Sequence, residues 1–187
     1  MPTIVTLTPN TTLDHTVIIP SFVHLKTIRS TGSFFSMGGK PTDASFILGT
    51  LGIPSLALGC AAGAIGRKVE DLLHERGVMT DFIEVNGETR INTIIVCEDV
   101  VGQTTLTVNT LDVLPEHVEA LKRRYADALD DASVVIMGGT LPRGVTPEFY
   151  AECIAMAQAR QVPTVYDAAE PNLSVGLAAR PTYIKPN

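Results

Sequence analysis

Apolar and polar residues alternate from Thr3 to Thr8 (TIVTLT), a period-two pattern that predicts a strand. The strand stops at Pro9-Asn10, a turn signal. Strand-like stretches follow from His15 to Pro20 and from Ile28 to Met37, the second rich in Ser, Thr and Phe. Gly38-Gly39-Lys40-Pro41 then opens a helix that turns Ala44, Phe46, Ile47 and Leu51 toward a core. Gly52 closes that helix and Pro54 stops its continuation. Ser55 to Ala61 reads as a buried strand. Ala64 to Arg76 reads as a helix ended by Gly77, with Val69, Leu72, Leu73 and Arg76 on one face.

The pattern changes between Asp81 and Val108. Strand-like runs at Phe82–Val85, Ile91–Cys97 and Thr104–Val108 are separated by Asn86-Gly87, a hairpin signal, and by a loop through Gly102. Helical spacing returns after Pro115, with Val118, Leu121, Tyr125 and Leu129 in register. Ser133 to Met137 is a short apolar strand that runs into Gly138-Gly139-Thr140-Leu141-Pro142. Thr146-Pro147 predicts the start of a helix to about Arg160, Thr146 as its N-cap and Pro147 in its first turn. Strands at Pro163–Asp167 and Thr182–Lys185 complete the chain.

Strands alternating with helices imply a mainly parallel sheet covered by helices on both faces. The strand clusters at about 14–37 and 81–108 interrupt that alternation. They predict a separate small β layer attached to the α/β body, placed like a lid. In such folds ligands bind at the C-terminal edge of the sheet, where strands hand over to helix N-termini.

Composition narrows the chemistry. The 187 residues carry 14 Lys and Arg against 20 Asp and Glu, a net charge of −6, with 45% hydrophobic residues and no Trp. A chain of this kind folds into a packed domain and lacks the cationic excess a nucleic-acid binder needs. An anionic ligand must therefore be held by a few placed cations. The apolar runs are short and broken by Pro and Gly, so none spans a bilayer, and the N-terminus has no signal-peptide pattern. Cys60, Cys97 and Cys153 are widely spaced, which predicts reduced thiols in a cytoplasmic protein and no zinc site. His15, His24, His74 and His117 have no metal-ligand spacing.

Two glycine turns fall where strands meet helices, Gly38-Gly39-Lys40 and Gly138-Gly139-Thr140. Each is either a plain tight turn or a cradle of backbone N–H groups for an anion. Neither has the spacing of a P-loop or of a dinucleotide fingerprint, which disfavours a nicotinamide oxidoreductase. Asp14 follows the first turn, where a carboxylate either closes an Asx-turn or accepts hydrogen bonds from sugar hydroxyls. Arg90 begins a strand, and is either a solvated strand end or, with Lys26, Arg29 and Lys40, part of a local cationic site.

Taken together, TLTPNTTLDHTV, GGKPTDASFILGTLGIP, ETRIN, GGTLPRGV, the strand into Asp167 and the closing IKPN resemble, in order and spacing, the PfkB carbohydrate-kinase family. The resemblance runs along essentially the whole chain and points toward the phosphofructokinase and tagatose-phosphate kinase branch. It implies a ribokinase-like three-layer αβα fold, mainly parallel, with a small β lid that in relatives also pairs two subunits, which makes a homodimer through the lid a candidate assembly and leaves the oligomeric state open. It implies transfer of the γ-phosphoryl group of ATP, with Mg2+, to a hydroxyl of a phosphorylated hexose. By the same resemblance Asp14 binds sugar hydroxyls and Gly38, Gly39 and Lys40 lie against the sugar. Asp43 stands where the family has a substrate-binding Asn. Arg90 grips the sugar phosphate, with Lys26 the nearest candidate for an assisting lid Lys, and Asp167, Lys185 and Asn187 lie near the ATP phosphates.

Several positions depart from the family pattern. Pro41 replaces a Gly and removes an N–H donor, although a proline fits a first helical turn. Asp43 loses an amide donor and adds negative charge. Gly138-Gly139-Thr140 replaces Ser-Gly-Ser, and Ala168-Ala169-Glu170 replaces small or hydroxyl residues. The Gly-Ala-Gly-Asp stretch that supplies the family's anion hole and catalytic base occurs nowhere in the sequence, nor does an acidic residue soon after Asn187. The expectation is an incomplete ribokinase-like domain that keeps the sugar side and is inactive as a phosphotransferase by itself, whether a shortened chain, an incomplete gene or a degenerate relative. A non-catalytic sugar-phosphate binder is the alternative.

Overall fold

A computed structural model describes residues 3–185. Six strands form one parallel sheet: β1 (Thr3–Thr8), β4 (Ser55–Ala61), β5 (Met79–Glu84), β10 (Ala132–Gly138), β11 (Thr164–Asp167) and β12 (Tyr183–Ile184), in the order β12-β11-β10-β1-β4-β5. Five helices accompany them: α1 (Lys40–Thr50), α2 (Gly63–His74), α3 (Pro115–Ala128), α4 (Glu148–Ala159) and α5 (Asn172–Ala178). Val5, Leu7, Leu58, Val135 and Met137 face a core completed by Leu121 and Tyr125 of α3 and Phe149, Cys153 and Ile154 of α4. The opposite face packs Ala57 against Val69 and Leu73 of α2, with Phe46 of α1 at the margin. Helices thus cover both faces, as a parallel sheet requires.

β1 shows how the alternation is used. Val5 and Leu7 enter the apolar core, while Thr6 and Thr8 are equally buried on the other face. There the Thr6 and Ser45 hydroxyls meet at 2.8 Å, Ser55 Oγ donates to Ser45 Oγ at 3.1 Å, and Thr42 Oγ1 donates to Thr8 Oγ1 at 2.6 Å. The polar half of the pattern therefore docks α1 through hydroxyl pairs instead of facing water, and each of these five hydroxyls has a partner.

A second sheet stands beside the body. It contains β2 (Thr12–Ile19), β3 (Gly32–Gly38), β7 (Arg90–Cys97) and β8 (Gln103–Leu106), in the order β3-β2-β7-β8. β2 and β3 are an excursion between β1 and α1, and β7 and β8 another between β5 and α3. Their pairing, parallel between β2 and β7, sets Thr12 opposite Arg90 and Asp14 opposite Asn92.

Three local readings are corrected. Phe82–Glu84 of the Phe82–Val85 run belong to β5 on the edge of the body sheet, since period two reveals a strand and not the sheet it joins. Asn86-Gly87 makes no hairpin turn. It forms a two-residue strand, β6 (Asn86–Gly87), paired antiparallel with β9 (Leu111–Asp112), which ties together the two ends of the β7–β8 excursion. Helix α4 starts at Glu148, and Thr146 offers Phe149 N its carbonyl, at 3.1 Å, with no side-chain cap. Helix α5 had no sequence-based expectation.

Candidate functional site

Three strands of the body sheet and one of the second sheet deliver four turns to one edge. β1 ends at Thr8 and leads through Asn10 into the lid, and β3 returns to Gly38-Gly39 and α1. β10 ends in Gly138-Gly139-Thr140, and β11 ends at Asp167. Between them lies a cleft of about 260 Å3 lined by Thr8, Asn10, Gly39, Lys40, Arg90, Asn92, Gly139, Thr140, Glu170 and Asn172. A sheet edge of this kind, with convergent polar groups, is where α/β folds bind ligands.

Two glycines are required by geometry. A Cβ on Gly38 would lie 2.7 Å from Cγ of Asp14 and 2.7 Å from Cγ2 of Thr12, so only glycine lets the carboxylate lie flat on the turn. Gly138 has φ +147°, and a Cβ there would run into the backbone carbonyl of Asp167. Gly139 N in turn donates to Asp167 O at 2.8 Å, which locks the β10 and β11 exits together.

Lid residues form one polar chain. Asn92 Nδ2 donates to Asp14 Oδ1 at 2.8 Å, and Thr107 Oγ1 donates to Asn92 Oδ1 at 2.7 Å. Arg90 donates through Nη1 to Thr107 Oγ1 at 3.2 Å and Val108 O at 3.4 Å, and through Nη2 to Thr140 Oγ1 at 3.0 Å. Partial burial raises the Asp14 carboxyl, opposed by the Asn92 hydrogen bond and the charge of Arg90. Burial also lowers the Arg90 guanidinium, with Asp14 opposing. Asp43, in the first turn of α1, has its carboxyl raised by desolvation and then by the charge of Asp14.

The cationic side centres on Asp167, whose side chain is 10% exposed. Lys40 Nζ donates to its Oδ1, and Lys185 Nζ lies 3.1 Å from its Oδ2. Two ammonium groups from opposite ends of the chain thus share one carboxylate beside the cleft. Anionic phosphate oxygens are the natural competitors for such lysines. Among the described residues no group of three or more His, Cys, Asp or Glu is arranged to hold a metal ion. A magnesium here would arrive with a nucleotide's phosphates and take one or two carboxylates, the usual habit of that ion.

Of the residues singled out by sequence, Asp14, Gly38, Gly39, Lys40, Arg90, Asp167 and Lys185 come together around this edge, with Asp43 next to Asp14. Lys26 does not. It sits exposed on the 20–31 loop beside a separate shallow hollow with Ser21, Thr27 and Arg29. Asn187 lies outside the described residues. Asn10, Asn92 and Asn172 have no site role in the sequence reading, although Asn10 and Asn92 lie within the motifs TLTPN and ETRIN; Thr140 enters there only with its glycine turn and Glu170 only as a departure from the family pattern. Glu170 is occupied by Ser174, whose N and Oγ donate to its carboxylate at 3.2 and 2.7 Å. Asn172 Nδ2 donates to Gly139 O at 3.2 Å. Pro41 sits in the first turn of α1 as expected.

Another hollow, about 330 Å3, opens on the same edge at the start of α2, lined by Ala61, Gly63, Arg67, Glu70 and Glu84. That helix N-terminus is already taken, because Glu88 Oε1 accepts from Ile65 N at 2.7 Å. The cleft at Arg90 is lined by the residues that carry, among the described residues, the two buried side-chain atoms without a hydrogen-bond partner, Oδ1 of Asn10 and Nε of Arg90.

Residues 11–187 match the pfkB family carbohydrate kinase profile. The 1-phosphofructokinase of Borreliella burgdorferi is 30% identical over 184 residues, which cover 98% of this chain and 59% of that protein. The D-tagatose-1-phosphate kinase of Bacillus licheniformis is 30% identical, with coverage of 98% and 59%. A solved structure from Thermotoga maritima, a possible 1-phosphofructokinase, superposes with a TM-score of 0.93 at 28% identity, covering 99% of this chain and 60% of the other. The tetrameric inhibited form of Escherichia coli phosphofructokinase-2 gives 0.85 at 27%, covering 100% and 62%. The chain therefore spans about three-fifths of the length of these relatives. Its sequence motifs, its ribokinase-like α/β fold with a β lid and these matches together make the chain a member of the pfkB family of carbohydrate kinases.

Proposed function

We propose that this chain forms the sugar-phosphate side of an ATP-dependent phosphosugar kinase, acting on a ketohexose phosphate such as fructose 1- or 6-phosphate or tagatose 6-phosphate. The observation that carries the reading is Arg90. In a chain of net charge −6, Arg90 of the second sheet and Lys40 of α1 line the same cleft at the sheet edge. Arg90 takes the phosphate already on the sugar, its planar fork suiting the phosphate oxygens. Asp14, held by Asn92 and seated on Gly38, accepts hydrogen bonds from sugar hydroxyls. Lys40 lies against the sugar, Lys185 and Asn187 serve the phosphate end of the nucleotide, and Asp167 orients the two lysines beside it. MgATP, when bound, supplies the phosphoryl group and the metal charge for its transfer to a sugar hydroxyl. The chain's own contribution is to align that hydroxyl and, with the lid above it, to keep water out.

The 187-residue chain by itself holds no Gly-Ala-Gly-Asp aspartate to receive the hydroxyl proton. It is proposed to bind phosphosugar without turning it over. The test is a coupled ADP assay with MgATP and fructose 1-phosphate beside calorimetric titration of the sugar phosphate. Binding without ADP release is expected. Robust turnover overturns the inactivity, and absence of binding overturns the sugar-phosphate reading.

A non-catalytic sugar-phosphate-binding role is a second reading, favoured by Pro41 and Asp43, which weaken the hydrogen-bond donor set beside the sugar. A homodimer through the lid is supported by Phe34, Phe35 and Leu106, all exposed on that sheet. No described helix is long and apolar enough to cross a membrane, and the three cysteines are free thiols. The thiols support a cytoplasmic setting.

A further inference from the structure

Among the described residues, two buried side-chain atoms lack any hydrogen-bond partner, Oδ1 of Asn10 and Nε of Arg90. Both residues line the same cleft, and both are bonded to one hydroxyl. Asn10 Nδ2 donates to Thr140 Oγ1 at 3.3 Å, and Arg90 Nη2 donates to the same oxygen at 3.0 Å. Asn10 is 2% exposed, fixed in the turn where β1 leaves the body for the lid. Its amide nitrogen is committed to Thr140, which leaves the carbonyl oxygen as an acceptor held in the cleft wall with nothing to accept from.

Folded proteins retain few such atoms, because burying an acceptor away from water without a partner is unfavourable. Neighbouring hydroxyls do not relieve this one. None of them hydrogen-bonds Asn10 Oδ1, and the proton of Thr11 Oγ1 goes instead to Cys60 O. The two unpaired atoms have opposite requirements. A carboxamide oxygen only accepts, so its partner must carry a hydrogen. The Nε–H of arginine only donates, so its partner must carry a lone pair. A ligand that meets both offers an acceptor and a donor a short distance apart, as a phosphate ester with a nearby hydroxyl does.

We propose that Asn10 is a specificity-determining residue of the cleft, its Oδ1 accepting a hydrogen bond from a hydroxyl of the phosphosugar whose phosphate Arg90 holds. This rests on the phosphosugar reading of the cleft and deepens it. Arg90 responds to the phosphate and Asn10 to the sugar, with Thr140 keeping the two at fixed separation. A site built this way rejects a ligand that supplies the phosphate and lacks the hydroxyl, because the acceptor then stays unpaired.

The test compares binding of fructose 1-phosphate and of ethyl phosphate, which has the phosphate and no hydroxyl, by calorimetry on the wild-type chain, Asn10→Ala and Asn10→Ser. Wild type is expected to prefer the sugar phosphate. Asn10→Ala is expected to lose about tenfold in fructose 1-phosphate affinity, the scale of one neutral hydrogen bond, and to leave ethyl phosphate unchanged. Asn10→Ser, which keeps an oxygen acceptor on a smaller side chain, gives a milder loss and serves if the alanine variant does not fold. Equal losses for both ligands, or no loss for either, overturn the role of Asn10. A wild-type chain that binds neither ligand overturns the phosphosugar reading itself, and this assignment with it.

Discussion

Arg90 Nη2 donates to Thr140 Oγ1 at 3.0 Å, joining a lid strand to the glycine turn at the end of β10 across 50 residues of sequence. Nη1 reaches back to Thr107 and Val108 within the lid. One guanidinium thus spans lid and body with a planar array of donors. Arg90→Lys keeps the charge and loses the array. Its affinity for fructose 1-phosphate is predicted to fall by about tenfold or more, with little change in melting temperature. Arg90→Ala also removes the positive charge near Asp14, so the Asp14 carboxyl, followed by NMR titration, moves further up.

Gly38 and Gly138 separate two kinds of glycine requirement. Alanine at Gly38 meets the Asp14 and Thr12 side chains, which can rotate away. Gly38→Ala is predicted to fold with a loss of about 1–3 kcal/mol and to bind phosphosugar poorly, since Asp14 is displaced. Alanine at Gly138 meets the Asp167 backbone and adopts an unfavourable φ. Gly138→Ala is predicted to cost about 3 kcal/mol or more. Urea unfolding of the two variants gives the comparison.

Acidity acts on the fold through Asp14. Burial raises its folded carboxyl above 3.8, so folding takes up a proton between that value and the higher folded one. The unfolded chain ionises first as pH rises. This group's contribution to stability is therefore greatest below the window and declines through it. Asp14→Asn removes that decline. The variant is predicted to melt higher than wild type at about pH 7, with the gap narrowing toward about pH 4. Its Asp43 carboxyl also titrates lower, because the charge of Asp14 is one cause of its elevation. A larger advantage at acid pH than at neutral pH contradicts this.

Asp167 neutralises Lys40 and Lys185 together. In Asp167→Asn both ammonium groups lose that counter-charge. Affinity for inorganic phosphate is predicted to rise severalfold, with a steeper dependence on salt. Unchanged phosphate binding in a folded variant rules out these lysines as an anion site.

Burial pushes the Cys60 thiol up to about 12 and raises Cys153 as well, and both are fully buried in the core. Neither thiolate is accessible in the folded chain, so a thiol reagent is predicted to modify Cys97 first and the other two only on unfolding.

Much of this was legible in the sequence, and the remainder for the most part was not, for identifiable reasons. The strand–helix alternation predicted the parallel sheet, and motif order brought Asp14, Gly38, Gly39, Lys40 and Arg90 to one edge. The Phe82–Val85 run was referred to the wrong sheet because alternation carries no information about pairing partners. Asn86-Gly87 has hairpin chemistry, yet Asn86 pairs with Asp112, a contact no local rule anticipates. Helix α5 is short, with Asn172, Ser174 and Gly176 inside it, and all three are poor helix formers. The ion pair of Lys40 with Asp167 joins residues 127 apart, and the bond of Asn10 to Thr140 joins residues 130 apart. Only folding places those groups together. An Asn in a turn motif shows as a turn signal, and its unpaired oxygen becomes visible only when its surroundings are known.

The central claim is that the cleft at Arg90 recognises the phosphate of a sugar. The most direct measurement is calorimetric titration of the purified chain with fructose 1-phosphate and with fructose, repeated on Arg90→Ala. Binding of the phosphorylated sugar, no measurable binding of fructose, and loss of the phosphosugar signal in the variant are expected. Fructose binding as tightly as its phosphate, or phosphosugar binding that survives Arg90→Ala, would contradict it.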